Sequence, residues 1–336
     1  MRDKTVLFVY PGLFTFVRRD KEILKRYYKV VSFHATKNIP KIIFRLLLNI
    51  RSTDLVLIWF AGWHAFFSVL FANVFKKKSI VIAGGYDAAY VPEINYGVFT
   101  SWWRGLLARF VYQHSNRILV VDESLKKDLI TNTNLPIEKK ISVVATGYDH
   151  EKYKPKGNKD RKLVITVGNV MKSVVKRKGF ETFVKTAKYL PNINFVLIGR
   201  HIDNSVNSLK SISTPNVKFM GFVSDDELLE YYQKAAVYCQ LSRYEGLPNA
   251  LCEAMLCECV PVGTRYCGIS TAMGQTGFYT SYNEPEATVN AIKEALSFPE
   301  KGKMARERII SMFSIREREK RLIKTINEVT EKVMEK

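Results

Sequence analysis

Residues 237–264 read "VYCQLSRYEGLPNALCEAMLCECVPVGT", and their pattern is the clearest indication of the fold. An apolar run (237–242) is followed by a loop with Gly246 and Pro248, an apolar helical segment and a second apolar run (260–264). Proline is favoured at or just before the first turn of a helix, so Pro248 marks where this helix begins. Two short apolar strands joined through a helix predict a parallel pair of strands.

The same alternation extends over the whole chain. Six short apolar runs stand in the first half and six in the second, separated by segments that are long enough for helices. Such strands are typical of a parallel sheet covered on both faces. The sequence therefore predicts an α/β protein with two doubly wound, Rossmann-like domains, which bind ligands in the cleft between the carboxyl ends of their strands. The predicted strands are 5–10, 28–33, 54–60, 79–85, 117–122, 141–147, 163–169, 194–200, 217–222, 237–242, 260–264 and 277–282.

A polar segment, "DHEKYKPKGNKDRK" (149–162), separates the two sets of strands and is the best linker candidate. Domains are therefore predicted at 1–157 and 158–313, and a chain of 336 residues is long enough for two cores. Over 314–336 the spacing of apolar residues predicts an amphipathic helix that docks on the domains.

The composition and charge limit the class of protein and its partners. With 47% hydrophobic and 25% charged residues, the chain is globular rather than disordered or fibrous. The net charge of +20 favours a polyanionic partner such as a nucleic acid, an anionic membrane surface or a phosphorylated substrate. Neither set of strands has a G-x-G-x-x-G loop after its first strand, which argues against a nicotinamide dinucleotide.

The five cysteines predict reduced, buried thiols, because their number is odd and four of them lie in or beside an apolar segment. Their spacing lacks a C-x-x-C pair and no histidine lies nearby, so no metal site is expected. The first residues lack the apolar run of a signal peptide, and no stretch is long and apolar enough to cross a membrane. We therefore expect a cytoplasmic protein that is free or bound to a membrane surface.

Two carboxylates in the opening stretch need a chemical explanation. Glu253 lies among apolar helical residues, where an unpaired carboxylate is so costly that it needs hydrogen-bond donors or a changed protonation state. Glu245 lies in the loop before the helix. Between them are the first backbone N–H groups of the helix, those of Asn249, Ala250 and Leu251, which make a helix start suited to an anion.

A second charged segment, "GNVMKSVVKRKGFETF" (168–183), follows the first strand of the second domain. We predict a loop with four basic residues, followed by a helix from about Gly179. The basic residues are Lys172, Lys176, Arg177 and Lys178. Basic residues before a helix oppose its macrodipole, so their placement favours a negative ligand such as a diphosphate. Taken alone, the segment is better explained as a solvated basic loop.

Together these segments resemble the retaining GT-B glycosyltransferases of family 4, the glycosyl transferases group 1. Glu245 and Glu253 have the spacing of the family's E-x7-E motif, and "SRYEGLPNALCEAM" and "CVPVGT" are close to its signature. "GFVSDDELLEYYQKAAVY" resembles the segment that precedes the signature, and "TGYDHEKYKP" resembles the exit from the first domain. The resemblance implies a GT-B fold and transfer of a sugar from a UDP- or GDP-linked donor, with retention and without a metal ion or another cofactor.

The resemblance also implies roles for the charged residues. Glu253 would accept hydrogen bonds from the ribose of the nucleotide. Glu245 would face the donor sugar near its reacting carbon and stabilise an oxocarbenium-like transition state. Lys178 and Arg177 would neutralise the diphosphate and assist its departure, in place of a metal ion. Because no nucleophile is placed, front-face attack would follow, in which the departing phosphate takes the proton of the acceptor.

Further donor contacts are implied in the surrounding loops: the backbone of Phe222 and Val223 at the base, with Asn169, Lys172, Gly246, Leu247, Asn249, Ala250 and Leu251. Three positions depart from the family pattern. Asn169 stands where the family usually has an arginine, so one phosphate contact would come from elsewhere. Asp87 would replace a histidine that contacts the donor sugar, although an aspartate that only shapes its loop fits equally well. Glu258 replaces a common glycine, and the sequence offers no functional account of it.

The first domain is expected to bind the acceptor. Gly12, in the turn after the first strand, would let the backbone approach the acceptor closely. Segments 37–51 and 100–117 combine basic and large apolar residues like interfacial helices, although helices that cover the sheet have the same pattern. Membrane binding would imply a lipid-linked acceptor and a peripheral position on the anionic inner face of the cell membrane. A saccharide acceptor is the alternative, and nucleic acid is not an expected partner.

Two other functions remain open at this point. A nucleotide-sugar epimerase has the same two-domain plan, but it needs acid and base side chains in the cleft, and the E-x7-E context argues against it. A catalytically silent protein that binds nucleotide sugars is the second alternative, and the presence of Glu245 argues against it.

Overall fold

The computed structural model describes residues 4–35 and 39–331. The chain divides into two compact units. Unit 1 consists of Met1–Gly147 and Ile315–Lys336, and unit 2 is Tyr148–Ser314. Residues 332–336 of the predicted C-terminal helix lie outside the described part of the chain.

The division falls about ten residues before the boundary that the sequence predicts at residue 157. The polar segment 149–162 is held within unit 2 rather than serving as a linker. The guanidinium of Arg306 donates hydrogen bonds to the carbonyls of His150 (3.1 Å) and Tyr153 (2.8 Å). Polarity and turn residues marked residues 149–159 correctly as a loop, whereas residues 160–162 begin a strand. These features do not show which part of the protein the loop contacts.

Unit 1 contains a six-stranded parallel sheet. Its strands are β1 (Thr5–Tyr10), β2 (Lys29–His34), β3 (Leu55–Trp59), β4 (Lys78–Ala83), β5 (Arg117–Val120) and β6 (Ile141–Val143), in the order β2-β1-β3-β4-β5-β6. The helices between them are α1 (Thr15–Tyr27), α2 (Ile39–Arg51), α3 (Trp63–Val74), α4 (Trp102–His114) and α5 (Glu123–Thr133). Strand β3 is buried along its whole length, as a central strand covered on both faces must be.

Unit 2 contains a second six-stranded parallel sheet. Its strands are β7 (Asp160–Val167), β8 (Asn194–Ile198), β9 (Val217–Gly221), β10 (Ala235–Gln240), β11 (Val260–Thr264) and β12 (Phe278–Thr280), in the order β12-β11-β10-β7-β8-β9. The helices are α6 (Lys172–Lys178), α7 (Phe180–Ala187), α8 (Ser205–Ser211), α9 (Asp225–Lys234), α10 (Asn249–Leu256), α11 (Cys267–Met273), α12 (Pro285–Ser297) and α13 (Lys301–Met312). All twelve predicted strands and the doubly wound α/β class are confirmed.

The order of strands reverses once in each sheet, between β1 and β3 in unit 1 and between β7 and β10 in unit 2. Ligands of doubly wound sheets bind at the carboxyl ends of the strands on either side of such a switch point. The loops after these four strands are therefore where functional side chains are expected.

The predicted basic loop at 172–178 is wrong, because these residues form helix α6. Gly179 ends α6 and begins α7 with a left-handed φ of 65°. A Cβ atom there would lie 2.4 Å from the carbonyl oxygen of Leu241, so only glycine fits. The basic side chains of the last turn, which ends at Lys178, lie at the negative end of the α6 dipole. Their position is stable by itself and does not require a negative ligand.

The last helix, α14 (Ile315–Glu331), belongs to unit 1. Its apolar stripe is buried, with Leu322 and Ile326 both fully covered. The guanidinium of Arg318 donates two hydrogen bonds to the carboxylate of Asp20 in α1, at 3.0 and 2.6 Å. Both side chains are almost completely buried, so this ion pair joins the last helix to the first.

The two predicted interfacial segments correspond to α2 and α4, and residues 37 and 38 lie outside the described part of the chain. Each helix buries one face and leaves large apolar side chains in solvent on another. Those exposed are Phe44 and Leu48 in α2, and Trp102, Trp103 and Leu106 in α4. Both helices cover the sheet, and both keep an apolar face that is available for contact. Within residues 4–35 and 39–331, no helix has the length and hydropathy needed to span a bilayer.

Candidate active site

Glu245 lies in the loop between β10 and α10, at the switch point of unit 2. One carboxylate oxygen, Oε1, accepts hydrogen bonds from Arg177 Nη1 (2.8 Å), Lys178 Nζ (2.9 Å), Ser242 Oγ (3.0 Å) and Gln240 Nε2 (3.3 Å). No described residue donates to the other oxygen, Oε2. The protein thus fixes the carboxylate through one oxygen and leaves the other for a ligand.

The charges of this cluster hold Glu245 ionised. Burial alone would raise the pKa of Glu245, but the charges of Arg177 and Lys178, with hydrogen bonds from Lys178 and Ser242, lower it to about 2. The carboxylate therefore contributes stability above the ordinary glutamate pKa, and this contribution is lost as the pH falls toward 2. Burial lowers the pKa of Lys178, and the adjacent Arg177 lowers it further, while Glu245 opposes the change.

The two cations are positioned by the end of α6. The side chain of Lys178 crosses Gly168, which follows β7, and a Cβ atom at Gly168 would lie 2.7 Å from its Cδ. Arg177 Nη1 also donates to the carbonyl of Tyr244 (3.1 Å), and the carbonyl of Arg177 accepts from the N–H of Arg243 (2.7 Å). Helix α6 is thereby joined to the loop after β10 through both side chain and backbone.

Sequence reasoning missed Gln240 and Ser242, which bind Glu245 directly. Gln240 also donates to the hydroxyl of Ser242 (2.7 Å), and both side chains are buried. They were signalled by their spacing, since two polar residues two apart at the end of an apolar strand share one face of the sheet.

Gly268 was also missed. Its N–H donates to the carbonyl of Glu245 (3.3 Å), and a Cβ atom at this position would overlap the carbonyl oxygen of Gly246 at 1.5 Å. The start of α11 can therefore lie directly against the loop of Glu245 only with glycine here. A glycine within a helical segment is the one sign of this contact in the sequence.

Helix α10 begins as predicted, with Pro248 as its N-cap. Cys252 makes the first hydrogen bond within the helix, from its N–H to the carbonyl of Pro248 (3.1 Å). The N–H groups of Asn249, Ala250 and Leu251 donate to no described residue. Asn249 Oδ1 is buried and also has no hydrogen-bond partner within the described chain. The helix start thus has the unused donors that an anion or a nucleotide requires.

Glu253 lies in the second turn of α10 and is 6% exposed. As predicted from the sequence, Glu245 lies in the loop and Glu253 lies in the helix. Gly246 and Leu247, which connect the loop to the helix, are buried. The contact of Glu253 with a ribose stays a prediction, as do the contacts of Gly246 and Leu247 with a donor.

The other predicted donor residues follow neighbouring strands of the same sheet. Asn169, after β7, accepts a hydrogen bond at Oδ1 from the N–H of Arg200 (3.2 Å), and the Arg200 guanidinium lies 4.5 Å from the ring centre of Phe222. Phe222 follows β9 and is 67% exposed, beside the half-buried Val223. Lys172 begins α6 and its side chain is exposed. Their roles in binding the donor stay predictions.

Asp87 is buried in unit 1. Oδ1 accepts hydrogen bonds from the N–H groups of Gly84 (3.0 Å) and Gly85 (3.1 Å), and Oδ2 accepts from the N–H of Ala61 (3.0 Å) and the hydroxyl of Tyr112 (3.2 Å). Burial raises the pKa of Asp87, and the backbone N–H groups offset part of this rise. These contacts fix the loops after β3 and β4. Contact with a donor sugar stays a prediction for Asp87.

Gly12 follows β1 in unit 1. A Cβ atom there would lie 3.0 Å from the ring of Phe14, so the glycine admits this aromatic side chain. Its predicted contact with an acceptor is not tested by this arrangement.

All five cysteines are free thiols, and four of them are buried. In the described part of the chain, no group of three or more His, Cys, Asp or Glu side chains is arranged to hold a metal ion.

The second half of the chain matches a known protein family. Residues 161–297 match the sequence model of the family described as Glycosyl transferases group 1. The alpha-galactosylglucosyldiacylglycerol synthase of Streptococcus pneumoniae is 26% identical over a match that covers 46% of this chain and 46% of that protein. The chain thus aligns with about half the length of this relative.

Solved structures match the fold over nearly the whole chain. The Anabaena protein HepE, in complex with UDP and glucose, has a TM-score of 0.81 at 14% identity, covering 97% of this chain and 100% of that one. Sucrose-phosphate synthase from Thermosynechococcus elongatus has a TM-score of 0.78 at 12% identity, covering 97% and 98%. At such identities the likeness concerns the fold, and it confirms the predicted GT-B class.

Proposed function

Because residues 161–297 match the Glycosyl transferases group 1 family, we propose that the protein is a retaining glycosyltransferase of this family. It moves a sugar from a nucleoside-diphosphate sugar to a hydroxyl group of an acceptor. The observation that carries this proposal is the cluster of Glu245, Arg177 and Lys178 at the switch point of unit 2, beside the unused N–H groups of α10.

The cluster supplies the charges that the reaction needs. When the glycosidic bond to the phosphate breaks, positive charge develops on the sugar and negative charge on the diphosphate. Oε2 of Glu245 stabilises the former, while Arg177, Lys178 and the N–H groups of α10 neutralise the latter. The departing phosphate takes the proton of the acceptor hydroxyl as the new bond forms on the same face. No step in this scheme requires a metal ion.

The donor is proposed to be a UDP-sugar, with a GDP-sugar as the alternative. HepE, whose fold is similar, has been solved with UDP and with UDP-glucose. Glu253 would bind the ribose hydroxyls, the backbone of Phe222 and Val223 would hold the base, and Asn169 and Lys172 would contact the diphosphate.

The acceptor is proposed to be a lipid or a lipid-linked sugar. The relative from Streptococcus pneumoniae is named as a glycolipid synthase, and α4 exposes two tryptophans beside basic residues. The protein would then act at an anionic membrane surface, on the inner face of the cell membrane. The free thiols support a reducing compartment.

The test is the variant Glu245→Gln with purified protein and radiolabelled UDP-sugars. We expect transfer and donor hydrolysis to fall by about 100-fold or more, because the amide cannot stabilise the cationic sugar. UDP should still raise the melting temperature, since α10 is unchanged. The matched control is Glu230→Gln, which alters an exposed carboxylate in α9 and should retain full activity.

Four outcomes would contradict the proposal in different places. Full activity of Glu245→Gln would remove the role of Glu245. An inverted anomeric configuration in the NMR spectrum of the product would remove retention. A wild-type protein that converts one nucleotide sugar into its epimer would instead be an epimerase. One that binds a nucleotide sugar without any turnover would be a silent binding protein.

A further inference from the structure

Unit 1 contains an apolar pocket at its own switch point. The cavity, of about 430 Å³, lies within the size range of small-molecule sites. It is formed by the loops after β1, β3 and β4 together with α4, and five of its twelve lining residues are aromatic. The main lining side chains are Phe14, Phe60, Trp63, Tyr86, Trp103 and Leu107.

One residue of the pocket wall, Phe60, has a strained backbone conformation. Phe60, directly after β3, has a φ of 67°, which is unfavourable for a bulky residue. In this conformation its ring lies over Gly84, where a Cβ atom would be 2.4 Å from the Phe60 ring. Non-glycine residues keep such a conformation only where the surroundings enforce it, and here the result is an aromatic wall.

The polar groups of the lining are few. Both carboxylate oxygens of Asp87 are already engaged by Gly84, Gly85, Ala61 and Tyr112. At the exposed mouth, Arg104 donates to the hydroxyl of Tyr86 (3.0 Å) and lies over the ring of Trp103 at 5.1 Å. A saccharide bound inside would bury several hydroxyl groups without partners, which is costly. An apolar group bound inside would meet no such penalty.

We propose that this pocket binds the apolar chain of an amphiphilic acceptor, whose polar head is held at the mouth beside Arg104. The inference rests on the proposed function, in which unit 1 receives the acceptor, and it decides between a lipid-linked and a free saccharide acceptor in favour of the former. The exposed Trp102 on the same helix provides an apolar surface from which such a chain can enter.

The test uses the full chain with glucose and with hexyl, octyl and decyl β-glucoside, each below its critical micelle concentration. Binding is followed by tryptophan fluorescence, because Trp63 and Trp103 line the pocket. We expect affinity to rise about fourfold per added methylene, because burying one methylene contributes about 0.8 kcal/mol. Glucose alone should bind at least about 100-fold more weakly than decyl glucoside.

Two variants of α4 give a matched comparison. Leu107→Gln places an amide in the pocket and should weaken decyl glucoside binding at least tenfold. Leu106→Gln, at an exposed neighbouring position outside the lining, should change it less than twofold. Phe14→Ser, at a 51% exposed position on another wall, should reproduce the loss without disturbing the core.

Affinity that is independent of chain length, or equal losses in the Leu106 and Leu107 variants, would overturn the inference. Melting temperatures with UDP and GDP are measured on every variant, and they separate this failure from failure of the proposed function. Nucleotide binding and transfer without chain-length dependence reject the pocket alone. Chain-length dependence without nucleotide binding or transfer rejects the proposed function and leaves the pocket as a site for apolar chains.

Discussion

Glu258, the residue that has no role in the site, ends helix α10 in a left-handed conformation with a φ of 65°. Its N–H donates to the carbonyl of Met255 (2.9 Å), and the N–H of Cys259 donates to the carbonyl of Ala254 (3.0 Å). These two bonds form a Schellman motif, whose left-handed position is usually glycine. A glycine is therefore common at this position in the family because it adopts the left-handed conformation without strain. Glutamate adopts it here at a cost in free energy.

We predict that Glu258→Gly raises the free energy of unfolding by about 1 kcal/mol, because the strain is removed while the paired bonds remain. Glu258→Ala is the control, since alanine loses the carboxylate but keeps the unfavourable φ, and it should give no gain. Urea denaturation of both variants measures the difference. Equal stabilisation by glycine and alanine would assign the effect to the carboxylate and refute the backbone explanation.

At the same scale, the sequence predicted Glu245 with Arg177 and Lys178, because a motif and a basic cluster could both be recognised. It did not predict Gln240 or Gly268. Gln240 binds Glu245 because their side chains meet in the folded protein, and Gly268 lets the backbone of α11 lie against the loop of Glu245. Residue type alone does not show that these groups come so close together.

At the scale of elements, the strands were predictable because a buried parallel strand is a continuous apolar run with little ambiguity. Helix α6 was not, because it has only seven residues and most of its surface is charged. Its amphipathic period is too short to recognise, and Gly179 looked like a helix start when it is also a helix end. Arg177 and Lys178 do contact Glu245, but the local structure that carries them was predicted wrongly.

A buried ion pair joins helix α14 to α1. We predict that Arg318→Met lowers the free energy of unfolding by about 3–5 kcal/mol, because it leaves the carboxylate of Asp20 buried without its charged partner. Trp59 Nε1 also donates to this carboxylate (3.0 Å), so the change extends into the core of unit 1. Differential scanning calorimetry measures the loss.

The matched control is Arg321→Met on the same helix. Arg321 pairs with Glu317 at an exposed position, and its loss should cost less than about 1 kcal/mol. The double variant Asp20→Leu with Arg318→Met should recover part of the stability, because no uncompensated charge is left inside. Equal losses for the Arg318 and Arg321 variants would show that burial of the pair is not what stabilises α14.

For the whole molecule, the net charge of +20 and the exposed aromatic side chains of α4 together predict binding to anionic membranes. In liposome flotation, the protein should be recovered with vesicles that contain anionic lipid and not with neutral vesicles. Raising the salt concentration to about 0.5 M should lower the recovery, because surface charges are then screened within a few ångströms.

Trp102→Ser, at a side chain that is 78% exposed, should reduce recovery severalfold. Phe298→Ser is the control, because Phe298 is an exposed aromatic side chain of unit 2. Equal recovery with neutral and anionic vesicles, or none with either, would refute the charge argument.

The fold class of the whole molecule was predictable from the sequence. The packing of α14 on unit 1 was not, because an apolar stripe shows that a helix packs on something but not on which domain.

Because α14 belongs to unit 1 but is the last helix in the sequence, unit 1 is completed during synthesis only after all of unit 2. When the ribosome has completed Gly147, all six strands of unit 1 exist, but the arginine that pairs with Asp20 has not been synthesised. Roughly 170 residues of unit 2 follow first, which at about 5–20 residues per second takes roughly ten to thirty seconds. Throughout that interval the nascent first unit lacks its last helix, and unit 2, synthesised later, can finish folding before it.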